Sequence, residues 1–183
     1  MKIKKIILYN EPSVPEIKIS KLINFLKDNF PIEITVKSNF FKGLKENEIK
    51  LLAKTRIFDI YNNYQPYEVD QKQITLEKTL CENSSYMEKT TRIEDAKNIN
   101  QVVMYDGFEM QKVIREQINE VENDTLHIIF TNRLTCTFDD SDLRYHGRAV
   151  ICANPAILST TGIIEAPAKS KEFYIQAMAN KSQ

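Results

Sequence analysis

The opening of the chain constrains the fold most. Ile3-Lys4-Lys5-Ile6-Ile7-Leu8-Tyr9 is an apolar run stopped by the turn-forming cluster Asn10-Glu11-Pro12, the signature of a buried strand. Ser13 and Glu16 have the spacing of a capping box, and Ile19, Leu22, Ile23, Leu26 and Phe30 recur every three or four residues before Pro31. That spacing predicts a helix with one apolar stripe lying on a sheet. Ile32, Ile34 and Val36 then alternate with Glu33, Thr35 and Lys37, the period of a strand with one wet face. A β-α-β opening of this kind closes with its two strands parallel in one sheet.

The remaining pattern extends the same class. Ile49, Leu52, Ala53, Ile57 and Ile60 predict a second amphipathic helix from about Glu46 to Tyr61. Between Asn62 and Asn100 the periodicity weakens, with Ile74, Leu76 and Leu80 hinting at a short strand, so this stretch reads as a variable insertion. Val102 to Tyr105 reads as a strand, and Asp106 with Glu109 as the capping box of a helix carrying Met110, Val113, Ile114, Ile118 and Val121. Strands follow at Leu126 to Thr131, Arg148 to Ala153 and Ile157 to Ile164, with a short helical tail near Glu172 to Ala179 after Pro167. Alternating strands and helices make the class α/β with a mixed sheet. At 183 residues, without repeat or linker, the chain reads as a single domain over 1–183.

Composition excludes several function classes. Basic and acidic residues both number 25, leaving zero formal net charge, and the aromatics form no basic-interleaved stripe; neither nucleic acid nor an anionic membrane is expected as a partner. No run reaches the roughly 18 to 20 apolar residues of a membrane-spanning helix, and the lysine-rich start does not read as a signal peptide. Cys81, Cys136 and Cys152 are an odd number without close-paired spacing, which suits reduced thiols in the cytoplasm and excludes a zinc ribbon.

Candidate chemistry concentrates in Leu126 to Lys169. Asp139, Asp140 and Asp142 fall within four positions, followed by Arg144, Tyr145 and His146. Carboxylates so close attract a hard cation or share a proton, although the glycine and distal glutamate of a calcium loop are missing. The plainer alternative is a solvated turn with Asp–Arg pairing. His127 and His146 are the only imidazoles, and no HExxH zinc helix exists. His127 within an apolar strand reads as a structural histidine, whereas His146 in a polar turn could serve as acid, base or lone ligand. Cys136 lies ten residues before His146, which raises a thiol nucleophile activated by imidazole against a buried core thiol. Cys152, within Ala149-Val150-Ile151-Cys152-Ala153, reads as a small buried hydrophobe. Ser159-Thr160-Thr161-Gly162 offers hydroxyls but too little glycine for a phosphate loop, and reads as a strand bend.

Phe130-Thr131-Asn132-Arg133-Leu134, Arg144-Tyr145-His146 and above all Ser159-Thr160-Thr161-Gly162-Ile163-Ile164-Glu165-Ala166-Pro167-Ala168-Lys169 resemble a family of uncharacterised archaeal proteins classed as metallopeptidases. The likeness runs from Val102 to Tyr174; earlier in the chain Ala53-Lys54-Thr55-Arg56 is its best echo. It implies an archaemetzincin-like α/β domain in which a helix after the last block carries zinc-binding histidines and a catalytic glutamate. No histidine follows His146, so none of those ligands carries over, and zinc is implied by the resemblance alone. The expectation is a truncated or catalytically inactive metallopeptidase-like domain, with a metal set of His146, Asp139, Asp140 and Asp142. Its rival is a noncatalytic peptide- or protein-binding module using the Asp139 to His146 turn and a sheet edge. A cysteine hydrolase built on Cys136 and His146 is a third class.

Overall fold

In the computed structural model, residues 3–11, 18–83, 103–118 and 124–165 are described. The expected β-α-β opening is present: β1 (Lys5–Asn10) and β2 (Glu33–Lys37) pair in parallel around α1 (Ile19–Asn29). The Ser13–Glu16 capping box lies outside the described residues, as do the start of the expected Val102 strand, Val121, and the Glu172–Ala179 tail.

The helix expected over Glu46–Tyr61 is shorter. α2 runs from Glu46 to Lys54 and ends where the Thr55 hydroxyl donates to the Leu52 carbonyl at 2.8 Å. Ile57, read as part of its stripe, lies in β3 (Arg56–Ile57), paired with β4 (Met104–Asp106). Within the expected insertion, the proposed strand is instead helix α3 (Gln71–Glu82). Asp70 and Gln73 cap it reciprocally, each side chain accepting from the other's backbone N–H at 2.7 and 2.8 Å. Its buried face is Glu77, Leu80 and Cys81; a carboxylate inside an apolar stripe had blurred the helical period.

After β4, Asp106 caps α4 (Gly107–Gln117) by accepting from Phe108 and Glu109, while the Glu109 carboxylate turns to Lys112 instead of completing a box. Then come β5 (Thr125–Thr131), β6 (Leu134–Asp139), β7 (Arg144–Arg148), β8 (Val150–Ile151), β9 (Ala156–Ser159) and α5 (Thr160–Glu165). Two sequence expectations fail here. The strand Arg148–Ala153 shrinks to Val150–Ile151, Arg148 belonging to β7. The strand Ile157–Ile164 stops at Ser159, because the Thr160 and Thr161 hydroxyls bond the Thr131 and Asn132 carbonyls and turn the chain into α5.

The strands form two mixed sheets where the sequence suggested one. The larger has the order β2-β1-β5-β9-β8, parallel except for β8; the smaller is β3-β4-β6-β7. α1 covers one face of the large sheet through Ile19 and Ile23 against Ile6, Leu8 and Phe130. The other face holds the main core, where Ile7, Ile129 and Ile157 meet Leu52 of α2, Leu80 of α3 and Met110 and Ile114 of α4. Each such side chain, fully buried, contributes on the order of 1.5–3 kcal/mol. β2 and β7 are left as outer strands of their sheets.

Candidate functional site

The β6–β7 hairpin brings three of the four proposed ligands together. Its register sets Thr137 opposite His146 and Asp139 opposite Arg144. Side chains alternate along a strand, so Asp139, Thr137, His146 and Arg144 share one face. The turn folds Asp142 back over them, and one ligand atom from each of Asp139, Asp142 and His146 lies within 4.8 Å of the others. Asp140 stays outside this group, exposed in the turn. Leu143 closes the turn at φ 54, a left-handed conformation that a branched side chain adopts at a cost.

Hydrogen bonds hold both carboxylates in place. Ser141 donates to Asp139 Oδ1 from its backbone N–H at 2.9 Å and its hydroxyl at 2.6 Å, and these two bonds lower the Asp139 pKa. Asp142 Oδ2 accepts from Arg144 Nε at 2.9 Å, and His146 Nε2 lies 3.0 and 2.9 Å from the two Asp142 oxygens. The His146 contact is the main reason the Asp142 pKa is lowered, with Arg144 acting in the same direction and desolvation opposing both. Both carboxylates are therefore anionic at neutral pH. The pairing of Asp142 with Arg144 expected of a plain turn is also present.

Two oxygens and one imidazole nitrogen, with access from solvent, fit a zinc site of three protein ligands and an open position. A site with two His and one Glu is not assembled. His127 is buried in β5 of the other sheet, its backbone N–H bonded to Asn154 and its Nδ1 lying 3.3 Å from the Tyr9 hydroxyl, as a structural histidine would be.

The cysteine readings divide. Cys136 faces Gly147 across the hairpin, one position out of step with His146 and on the opposite face of the sheet. Burial, with Asp106 nearby, pushes its thiol up to about 12, so no imidazole-activated thiolate forms there. Cys152, read as a buried hydrophobe, is exposed instead, because the chain leaves β8 at Ile151 and loops outward through Ala153 at φ 129.

The structure adds a site that sequence reading missed. Arg133, fully buried between β5 and β6, donates from Nη1 to Glu11 Oε1 at 3.0 Å and from Nη2 to Glu77 Oε1 at 3.2 Å. Glu11 also accepts from the Thr131 hydroxyl and the Asn132 N–H, and the Tyr105 hydroxyl donates to Glu77. The guanidinium lies 3.8 Å from the Phe41 ring centroid. Burial opposes its charge, but Glu11, Cys81, Tyr105 and Glu77 outweigh that and raise its pKa. The Ser159-Thr160-Thr161-Gly162 block supports this centre: Ser159 donates to the Arg133 carbonyl, Thr160 to Asn132 Oδ1 and Thr161 to the Asn132 carbonyl. The signals were Glu77 inside an apolar helical stripe and Arg133 inside an apolar double strand. Elsewhere an open cleft of about 360 Å³ beside Tyr9, Lys37, Asn39 and Phe40 is lined by no carboxylate, imidazole or thiol.

The profile of the family described as "Probable metallopeptidase family (DUF6775)" matches residues 2–183. No curated protein and no solved structure matches the chain.

Proposed function

The chain belongs to this metallopeptidase family, and from that premise we propose that it is an archaemetzincin-like domain that holds zinc on Asp139, Asp142 and His146 and is not a competent peptidase as it stands. The convergence of those three ligand atoms within 4.8 Å carries the reading. A bound zinc ion supplies Lewis-acid polarisation of a carbonyl and a lowered pKa for a coordinated water. The chain's own contribution is orientation. Ser141 donates to Asp139 Oδ1 and Arg144 to Asp142 Oδ2, which holds both carboxylates in place beside His146. What the set lacks is a general base: the family helix expected to carry a glutamate between two histidines has no counterpart in a sequence whose histidines are His127 and His146.

The archaeal and cytoplasmic parts of this reading draw on the sequence resemblance and on the three unpaired cysteines; among the described residues no helix is long and apolar enough to cross a membrane. The noncatalytic alternative, a peptide- or protein-binding module, draws support from β7 being an outer strand that carries His146. It is weakened by Ile60, whose carbonyl already accepts the Tyr145 N–H at 2.7 Å.

The test is zinc content by elemental analysis after chelation and re-equilibration with limiting zinc, beside a peptide-hydrolysis assay. The expected result is about one equivalent of zinc without hydrolysis. Negligible zinc removes the metal site, and hydrolysis abolished by chelator removes the claim of inactivity.

A further inference from the structure

We propose that the chain forms a two-fold dimer by antiparallel pairing of β2 with β2 of a second copy. β2 ends the large sheet, and among the described residues its only strand partner is β1. The Glu33 N–H points inward, to the Lys4 carbonyl at 3.0 Å. Backbone direction alternates along a strand, so Ile34 and Val36 direct their N–H and C=O groups outward. An exposed edge of this kind is a ready template for another chain.

The sequence of that edge is complementary to itself. Antiparallel pairing centred on Thr35 places Ile34 opposite Val36 of the second copy, and these are the residues with outward backbone groups, so each exchanges both of its hydrogen bonds. The same register sets Glu33 opposite Lys37 at both ends. Registers centred on Ile34 or on Val36 leave part of the strand unpaired and lose the Glu–Lys match. In the single chain Glu33 has an exposed ion pair with Lys5 at 3.2 Å, and Lys37 lies 5.5 Å from the Tyr9 ring; neither arrangement blocks the edge.

The apolar surface agrees with the same axis. Val36, on the α1 face of the sheet, is 47% exposed, and Phe25 and Phe30 at α1 are 56% and 45% exposed. A two-fold axis through Thr35 perpendicular to the sheet sets the two α1 helices side by side on one face, covering these residues.

The experiment is sedimentation equilibrium of the full chain and two variants at micromolar concentrations, with circular dichroism confirming that the variants fold. Wild type is expected as a dimer of the 21.3 kDa chain. Lys37→Glu, which faces Glu33 with a like charge at two symmetric positions, weakens it about tenfold, and adding Glu33→Lys to that variant restores it. A monomeric wild type overturns the proposal and leaves the edge to an extended peptide from another protein. A dimer that Lys37→Glu does not weaken, or that the double exchange does not restore, overturns it as well.

Discussion

Arg133 Nη2 lies 3.2 Å from Glu77 Oε1, joining two side chains 56 residues apart that are both closed to solvent. With Glu11 on the guanidinium's other amino group, this ion triad ties α3 and the end of β1 to the loop between β5 and β6. Its worth is asymmetric: a complete buried ion cluster adds modest stability, whereas removing one partner strands the others in low dielectric. Arg133→Met keeps the stem, leaves Glu11 and Glu77 without a counterion, and is expected to cost about 3–5 kcal/mol in urea unfolding. Adding Glu77→Gln to that variant should recover part of the loss; a further loss of the full single-mutant size would show that the two residues do not interact.

The metal reading separates neighbouring aspartates. Asp142→Asn and His146→Ala are expected to lower bound zinc at least tenfold, the usual consequence of disturbing a ligand, whereas Asp140→Asn, outside the convergent group, leaves it unchanged. Equal loss in all three variants would point to nonspecific attraction by an acidic turn.

The three thiols differ in accessibility. Iodoacetamide should alkylate Cys152, which is exposed, and spare the buried Cys81 and Cys136 until the chain unfolds. Burial pushes both buried thiols up to about 12, for Cys81 against the pull of Arg133. Peptide mapping by mass spectrometry with and without urea reads the pattern directly. Early labelling at Cys136 would revive an activated thiol beside β7.

These raised pKa values fix the sign of the alkaline response. A group whose folded pKa exceeds its unfolded value binds more protons when folded, so its stabilisation is complete below the unfolded pKa and lost as pH rises through the folded one. For Cys81 and Cys136 that window runs from 9.0 to about 12, and burial raises Tyr105 and Tyr145 in the same direction. The urea midpoint is expected to fall steadily above the lower end of that window. A flat midpoint there would mean that these groups reach water in the folded chain.

Gly162 marks a close approach. A Cβ at this position would sit 2.5 Å from the Arg148 carbonyl oxygen, which the Thr135 hydroxyl holds at 2.8 Å. Gly162→Ala should destabilise by about 1–3 kcal/mol through overpacking, read as a lower urea midpoint with an unchanged slope.

What depends on neighbours along the chain could be read from the residues alone. The two-residue alternation of Ile32 to Lys37 and the helical spacing of Met110, Val113 and Ile114 gave elements that the structure contains, because amphipathic period is a local property. The turn carrying Asp139, Asp142 and His146 was legible for the same reason: a short hairpin keeps residues close in sequence close in space. Tertiary structure alone decided the rest. Ile57 left its helical stripe to pair with Met104, and Ile74 to Leu80 lie in a helix whose buried face includes Glu77, paired with Arg133. No local pattern announces that a carboxylate near the middle of the chain will neutralise an arginine 56 residues later, since a buried charge is tolerable only once its distant partner is in place.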